Sequence, residues 1–137
     1  MGEIRVKVKI TNAADDALAR RGQLAPDKIR TYEADAMVDT GAVRSVVPVH
    51  VMQSLGVQPR AQRVAEYADG RKETVGLTEP LLFDILGRDT SEEALVLGDE
   101  VLIGQTILEK LDLLADCANR RLVPNPAHPD QPVSKVK

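Results

Sequence analysis

An apolar run that ends on Asp39, continues through Thr40 and Gly41, and leaves by Ser45-Val46-Val47 into Pro48 leaves few folds open to this chain. A carboxylate at the end of a buried strand is unfavourable unless its surroundings compensate it or chemistry uses it. Gly41 reaches backbone angles closed to other residues and lets a second piece of chain come close. The bland alternative is a surface turn, since Asp and Gly are both ordinary turn residues. A second apolar-apolar-glycine segment, Leu102-Ile103-Gly104, favours a displayed carboxylate over a turn.

The surrounding sequence reads as strands. Ile4, Val6, Val8 and Ile10 alternate with Arg5, Lys7 and Lys9, the period of a half-buried strand. Ala13 to Pro26 reads as a short helical turn or an irregular excursion, and Lys28 to Val38 as a strand that pairs with the first in a wide hairpin. Pro48 is placed to open a helix with Val49, Met52 and Leu55 on one face and Gly56 as its C-cap. Asp69-Gly70, between two polar strands, is the strongest hairpin signal and marks a projecting hairpin. Strands follow at Leu81–Leu86, Ala94–Leu97 and Val101–Gly104, and Thr106 with Glu109 reads as a capping box for a second short helix. Residues 1–123 form one domain of about seven or eight strands, and 124–137, rich in proline, a flexible tail.

Composition excludes several function classes. With 137 residues the chain holds one core, and at 2% aromatic content that core is aliphatic. A formal charge of −3 leaves no electrostatic footprint for nucleic acid. No apolar run suits a signal peptide or a membrane span, and Cys117, the only cysteine, forms no intrachain disulfide; cytoplasm is the expected compartment. Cys117 reads as a small buried hydrophobe. With His50 and His128 the only histidines, no metal site and no cofactor are expected, and no Gly-x-Ser-x-Gly elbow is present.

Acid–base work at a peptide bond needs a second proton-holding group opposite Asp39. No other Asp-Thr-Gly exists in the chain, so symmetry supplies the partner: Asp39 of a second copy, across a two-fold axis. In Ala36-Met37-Val38-Asp39-Thr40-Gly41-Ala42, the Ser45–Pro48 strand, the helix ending in Leu55-Gly56, the Asp69-Gly70 hairpin and Val101-Leu102-Ile103-Gly104, the chain resembles the retroviral-type (retropepsin-like) single-domain aspartic proteases, and more closely their bacterial and archaeal relatives.

That resemblance implies an all-β, closed barrel of the acid-protease type with one or two short helices and a flap hairpin. It further implies an aspartic endopeptidase acting as a homodimer on peptide or protein, without cofactor, membrane or nucleic acid. By the same resemblance Asp39 is catalytic, Thr40, Gly41 and Ala42 support the active loop, and Tyr67, Asp69, Gly70, Leu102, Ile103 and Gly104 form cleft and flap. Tyr67 on its own reads as a strand-face aromatic. Two positions depart from the viral pattern: Val43 replaces an Asp and Gln105 an Arg, residues that pair with each other in the viral enzymes. The alternative is a non-catalytic dimer of the same fold that binds peptide or serves as a scaffold.

Overall fold

Strand β1, Ile4–Asn12, buries Ile4, Val6, Val8 and Ile10 and turns Arg5, Lys7 and Lys9 to solvent, following its alternating sequence. It pairs antiparallel with β2, Thr31–Val38, from Ile4 opposite Val38 to Thr11 opposite Thr31. The computed structural model describes residues 3–136; the first two residues of the expected domain and the last of the expected tail lie outside the described residues.

Between these strands the excursion is a helix, α1, Ala13–Arg20. Asn12 starts it, its side chain accepting from Asp15 N at 3.0 Å. The Asp15 carboxylate then grips Arg30 through both oxygens, at 2.8 and 3.0 Å, and the guanidinium holds that carboxyl below its ordinary range. One turn of 3-10 helix, Pro26–Lys28, precedes β2.

The remaining elements are β3 (Val46–Val47), α2 (Val49–Leu55), β4 (Pro59–Glu66), β5 (Lys72–Thr78), β6 (Leu81–Ile85), β7 (Arg88–Glu92), β8 (Leu95–Val96), β9 (Leu102–Ile103), α3 (Gln105–Leu111), β10 (Leu113–Asp116) and β11 (Arg121–Pro124). Nine strands share one sheet in the order β4-β5-β8-β3-β9-β2-β1-β6-β7, while β10 and β11 pair separately. Its concave side holds an aliphatic core with one aromatic ring, Phe83, fully buried among residues such as Ile10, Leu55, Leu81, Ile103 and Leu111.

The expected closed barrel with one or two helices is not what forms. The sheet is an open, curled half-barrel whose edges lie 12 Å apart, and three α-helices accompany it. At one edge β4 begins at Pro59, which has no N–H to offer a further strand. Near the seam the chain uses side chains instead of a ladder, with Arg60 Nε 2.5 Å from Glu93 Oε2. The extra helix is α1, whose start depends on a cap at a residue that also ends a strand.

Smaller differences have local causes. In α2 the buried residues are Val51 and Leu55, and Val49 is exposed, because Pro48 is the cap and not the first helical residue. Gly56 ends α2 in the left-handed conformation, φ 66°, as expected. Cys117 is exposed, in the turn between β10 and β11. Beyond β11 the chain returns to Asp112, which receives Asn125 Nδ2 at 3.0 Å, His128 Nδ1 at 2.6 Å and Val133 N at 3.1 Å. Among the described residues no helix is long and apolar enough to cross a membrane.

Candidate functional site

Strand β9 runs parallel to β2 and antiparallel to β3, and lies between them. The segment 39–45 that joins β2 to β3 must therefore step across the end of β9. At that crossing the backbone of Val43 and Arg44 passes over Gly104 so closely that a Cβ there would stand 2.6 Å from Arg44 C and O. Only glycine fits without the loop moving.

Hydrogen bonds hold the loop from behind. Asp39 N donates to Ile103 O at 2.9 Å, extending the parallel ladder to the carboxylate-bearing residue. Ala42 O accepts from Gln105 N at 2.7 Å, and Val43 O accepts from Thr106 N at 3.1 Å and Thr106 Oγ1 at 2.9 Å. The first N–H groups of α3 are thus spent on the loop. Fully buried Ser45 completes the anchorage, its Oγ accepting from Gly104 N at 3.0 Å.

This arrangement corrects the capping box expected of Thr106 and Glu109. Gly104 is the N-cap of α3, and Thr106 turns its hydroxyl to the loop instead of to Glu109. Ser45 and Thr106 are the supporting residues that sequence reasoning missed. The available signal was a small hydroxyl residue on each side of a crossing that two glycine-bearing segments already marked.

Asp39 itself is half-buried. Its Oδ1 accepts from Gly41 N at 3.1 Å and its carbonyl from Ala42 N at 3.1 Å, a tight turn that fixes the carboxylate's orientation. A side chain at Gly41 would crowd that oxygen, with Cβ at 3.3 Å. Thr40 and Gly41 are exposed and Ala42 half-buried, and Val43 presents 69% of its surface to solvent. One oriented carboxylate can give or take one proton, and among the described residues no side-chain hydrogen bond links Asp39 to a second acidic group. Gln105 places its amide nitrogen 3.4 Å from Glu109 Oε1, while Val43 offers only apolar surface.

Leu102, Ile103 and Gly104 lie beside the Asp39 loop, whereas Tyr67, Asp69 and Gly70 make no hydrogen bond to it among the described residues. The latter three form the tip of the β4–β5 hairpin, with Gly70 at φ 87° and Gly70 N donating to Tyr67 O at 2.9 Å. Tyr67 is half-buried: its hydroxyl donates to Glu73 Oε1 at 2.5 Å and Arg71 lies over its ring at 4.2 Å. The bond to the Glu73 carboxylate, with burial adding to it, holds the phenol above its ordinary range. Among the described residues, no hydrogen bond of this tip reaches the Asp39 loop. No group of three His, Cys, Asp or Glu side chains among them is placed to hold a metal ion.

No protein-family model matches the sequence, and no curated protein sequence does. Among solved structures the fold is similar to the retroviral protease-like domain of Ddi1 from Leishmania major, at 17% identity and a TM-score of 0.56, over 98% of this chain and 92% of that one. Simian foamy virus (mac) protease is similar over 76% of this chain and 90% of its own, at 17% identity and a TM-score of 0.48. At this identity the likeness shows the fold alone, which this chain shares with the Ddi1 domain.

Proposed function

We propose that the chain is one subunit of a homodimeric aspartic endopeptidase, with one site built from two Asp39 side chains. The observation that carries this reading is the fixed display of Asp39 on a loop whose back is fully engaged and whose tip, Thr40 to Val43, is largely open. In the dimer two carboxylates share one proton and hold a water between them. The ionised member takes a proton from the water as it attacks the scissile carbonyl, and the protonated member donates to the developing oxyanion. The roles then reverse to release the amine. Thr40 spans the two-fold axis, and the exposed Val43 adds apolar contact beside it.

The test compares wild type with Asp39→Asn on a diverse peptide mixture from about pH 3 to about pH 8, with the dimer fraction followed by sedimentation. Asparagine keeps the shape and hydrogen-bonding capacity of the protonated acid but cannot take a proton from water. Cleavage should fall by about a thousandfold or more, with fold and dimer retained and an acidic optimum in the wild type. Equal cleavage by both proteins excludes Asp39 as the catalyst. A well-formed dimer without cleavage in either moves the assignment to a peptide-binding or scaffold dimer.

A further inference from the structure

We propose that residues 125–133 are a releasable strap, latched on Asp112, whose closure holds helix α3 and with it the brace behind the Asp39 loop. Among the described residues, every hydrogen bond from this segment to the rest of the chain ends on Asp112 or Arg88. Asp112 O accepts from Asn125 N at 3.0 Å, and the Asp112 carboxylate meets Asn125 Nδ2 at 3.0 Å, Val133 N at 3.1 Å and His128 Nδ1 at 2.6 Å. Arg88, buried at the start of β7, donates from Nη2 to His128 O at 2.7 Å and from Nη1 to Leu111 O and Asp112 O at 2.9 and 3.0 Å.

Apolar packing adds little to these bonds, since Pro126, Pro129, Pro132 and Val133 are exposed. Opening the strap therefore breaks polar contacts and uncovers little apolar surface, unlike lifting a strand from the core. Asp112 is also the C-cap of α3, in the left-handed conformation at φ 57°. Arg88 covers the last carbonyls of the same helix, so the strap and the helix end share their partners. A seven-residue helix is far below the length at which a helix stands alone, and it forms or frays as one unit. At its other end Gly104 has no side chain to cap it, the bond from Leu108 N to Gly104 O is 3.5 Å long, and the N–H groups of Gln105 and Thr106 go to the loop carbonyls. Buried Ile107, Leu108 and Leu111 hold one face of the helix, and its two ends are fixed by the strap and by the loop. Loosening the first end reaches the second through about two turns of helix. The inference does not rest on the cleavage reading.

The experiment uses the full chain labelled with nitrogen-15. Asp112→Asn keeps a residue that tolerates the left-handed cap but turns one acceptor oxygen into a donor, facing the donors of the strap. Amide relaxation at Ala127, His128 and Val133 should show the strap released. Hydrogen exchange at Gln105 and Thr106 should quicken, relative to the amides of β1, by about threefold to thirtyfold, the range over which changes along a coupled network act. His128→Ala carries the same test without touching the helix cap, and a smaller effect of the same pattern is expected. A strap that stays ordered in either variant would overturn the proposal. So would a released strap with exchange at Gln105 and Thr106 quickened no more than at β1, which marks a general loss of stability or none.

Discussion

The loop at Asp39 and the tip of the β4–β5 hairpin both join strands through exposed residues, yet they are held by different means. The loop is tied to remote chain at Ile103, Gly104, Gln105 and Thr106. Among the described residues the tip's hydrogen bonds stay within its own hairpin, through Tyr67 N to Arg71 O, Gly70 N to Tyr67 O, Arg71 N to Asp69 Oδ1 and the Tyr67 hydroxyl to Glu73. Its strands bury little before Val75: Val64 is 64% exposed and Arg63, Glu66, Lys72 and Glu73 face solvent. Local bonds form and break with the local segment, whereas remote bonds break only when the fold around them opens. The fold thus fixes its carboxylate and leaves the hairpin free to move as a unit.

The harshest way to break this contrast is Gly104→Ala, which drives a methyl group into the Arg44 backbone. It should destabilise the protein by about 3 kcal/mol, the upper end for overpacking, and speed hydrogen exchange at Asp39 and Thr106 while the tip is unchanged. Ser45→Ala removes the acceptor of the buried Gly104 N–H and should remove about 1–2 kcal/mol in denaturant unfolding. Gly70→Ala meets open space but sits at φ 87°, so strain of about 1 kcal/mol is expected, with faster exchange confined to residues 67–72. A larger loss from Gly70→Ala than from Gly104→Ala would invert the comparison.

The mildest effect is one of pH, outside both regions. Asp112, held below the ordinary carboxyl range first by Asn125 and also by Val133 N–H and His128, and Asp15, held there by Arg30, have lowered values in the fold. Their contribution is therefore fully present above the unfolded value, about 3.9, and is lost as pH falls through the folded values. The melting temperature should hold near neutrality and drop below about pH 4, and Asp112→Asn should shallow that drop. An unchanged slope in the variant would remove Asp112 from this role.

What the sequence made legible was whatever is written in a few neighbouring residues. The alternation of Ile4 to Ile10, the left-handed turn at Gly70 and the cap at Gly56 each follow from one side-chain type at one position. The approach of Leu102-Ile103-Gly104 to Asp39 was legible too, through its apolar-apolar-glycine pattern and the family that pattern resembles. Helix α1 was legible only as one of two alternatives, because Asn12 serves two elements at once, ending β1 and capping the helix. The open seam escaped because pairing between β4 and β7 is a question about strands far apart in sequence, which no local pattern addresses. Thr106 was misassigned for the same reason: its partner, Val43, lies 63 residues away.

The crossing at Gly104 also sets an order in time. Ser45 and the glycine it holds are 59 residues apart, so on a ribosome the Asp39 loop emerges long before the segment that braces it. Until β9 and α3 are made, the local turn at Gly41 and Ala42 has no brace behind it to hold the loop in place, and closing so long a connection carries its entropy cost late in folding. A nascent or truncated chain ending before residue 104 would carry the whole Asp-Thr-Gly and still be unable to set it. Competence of the site is a property acquired only when synthesis has passed the bracing segment, a built-in delay for a chain proposed to cut others.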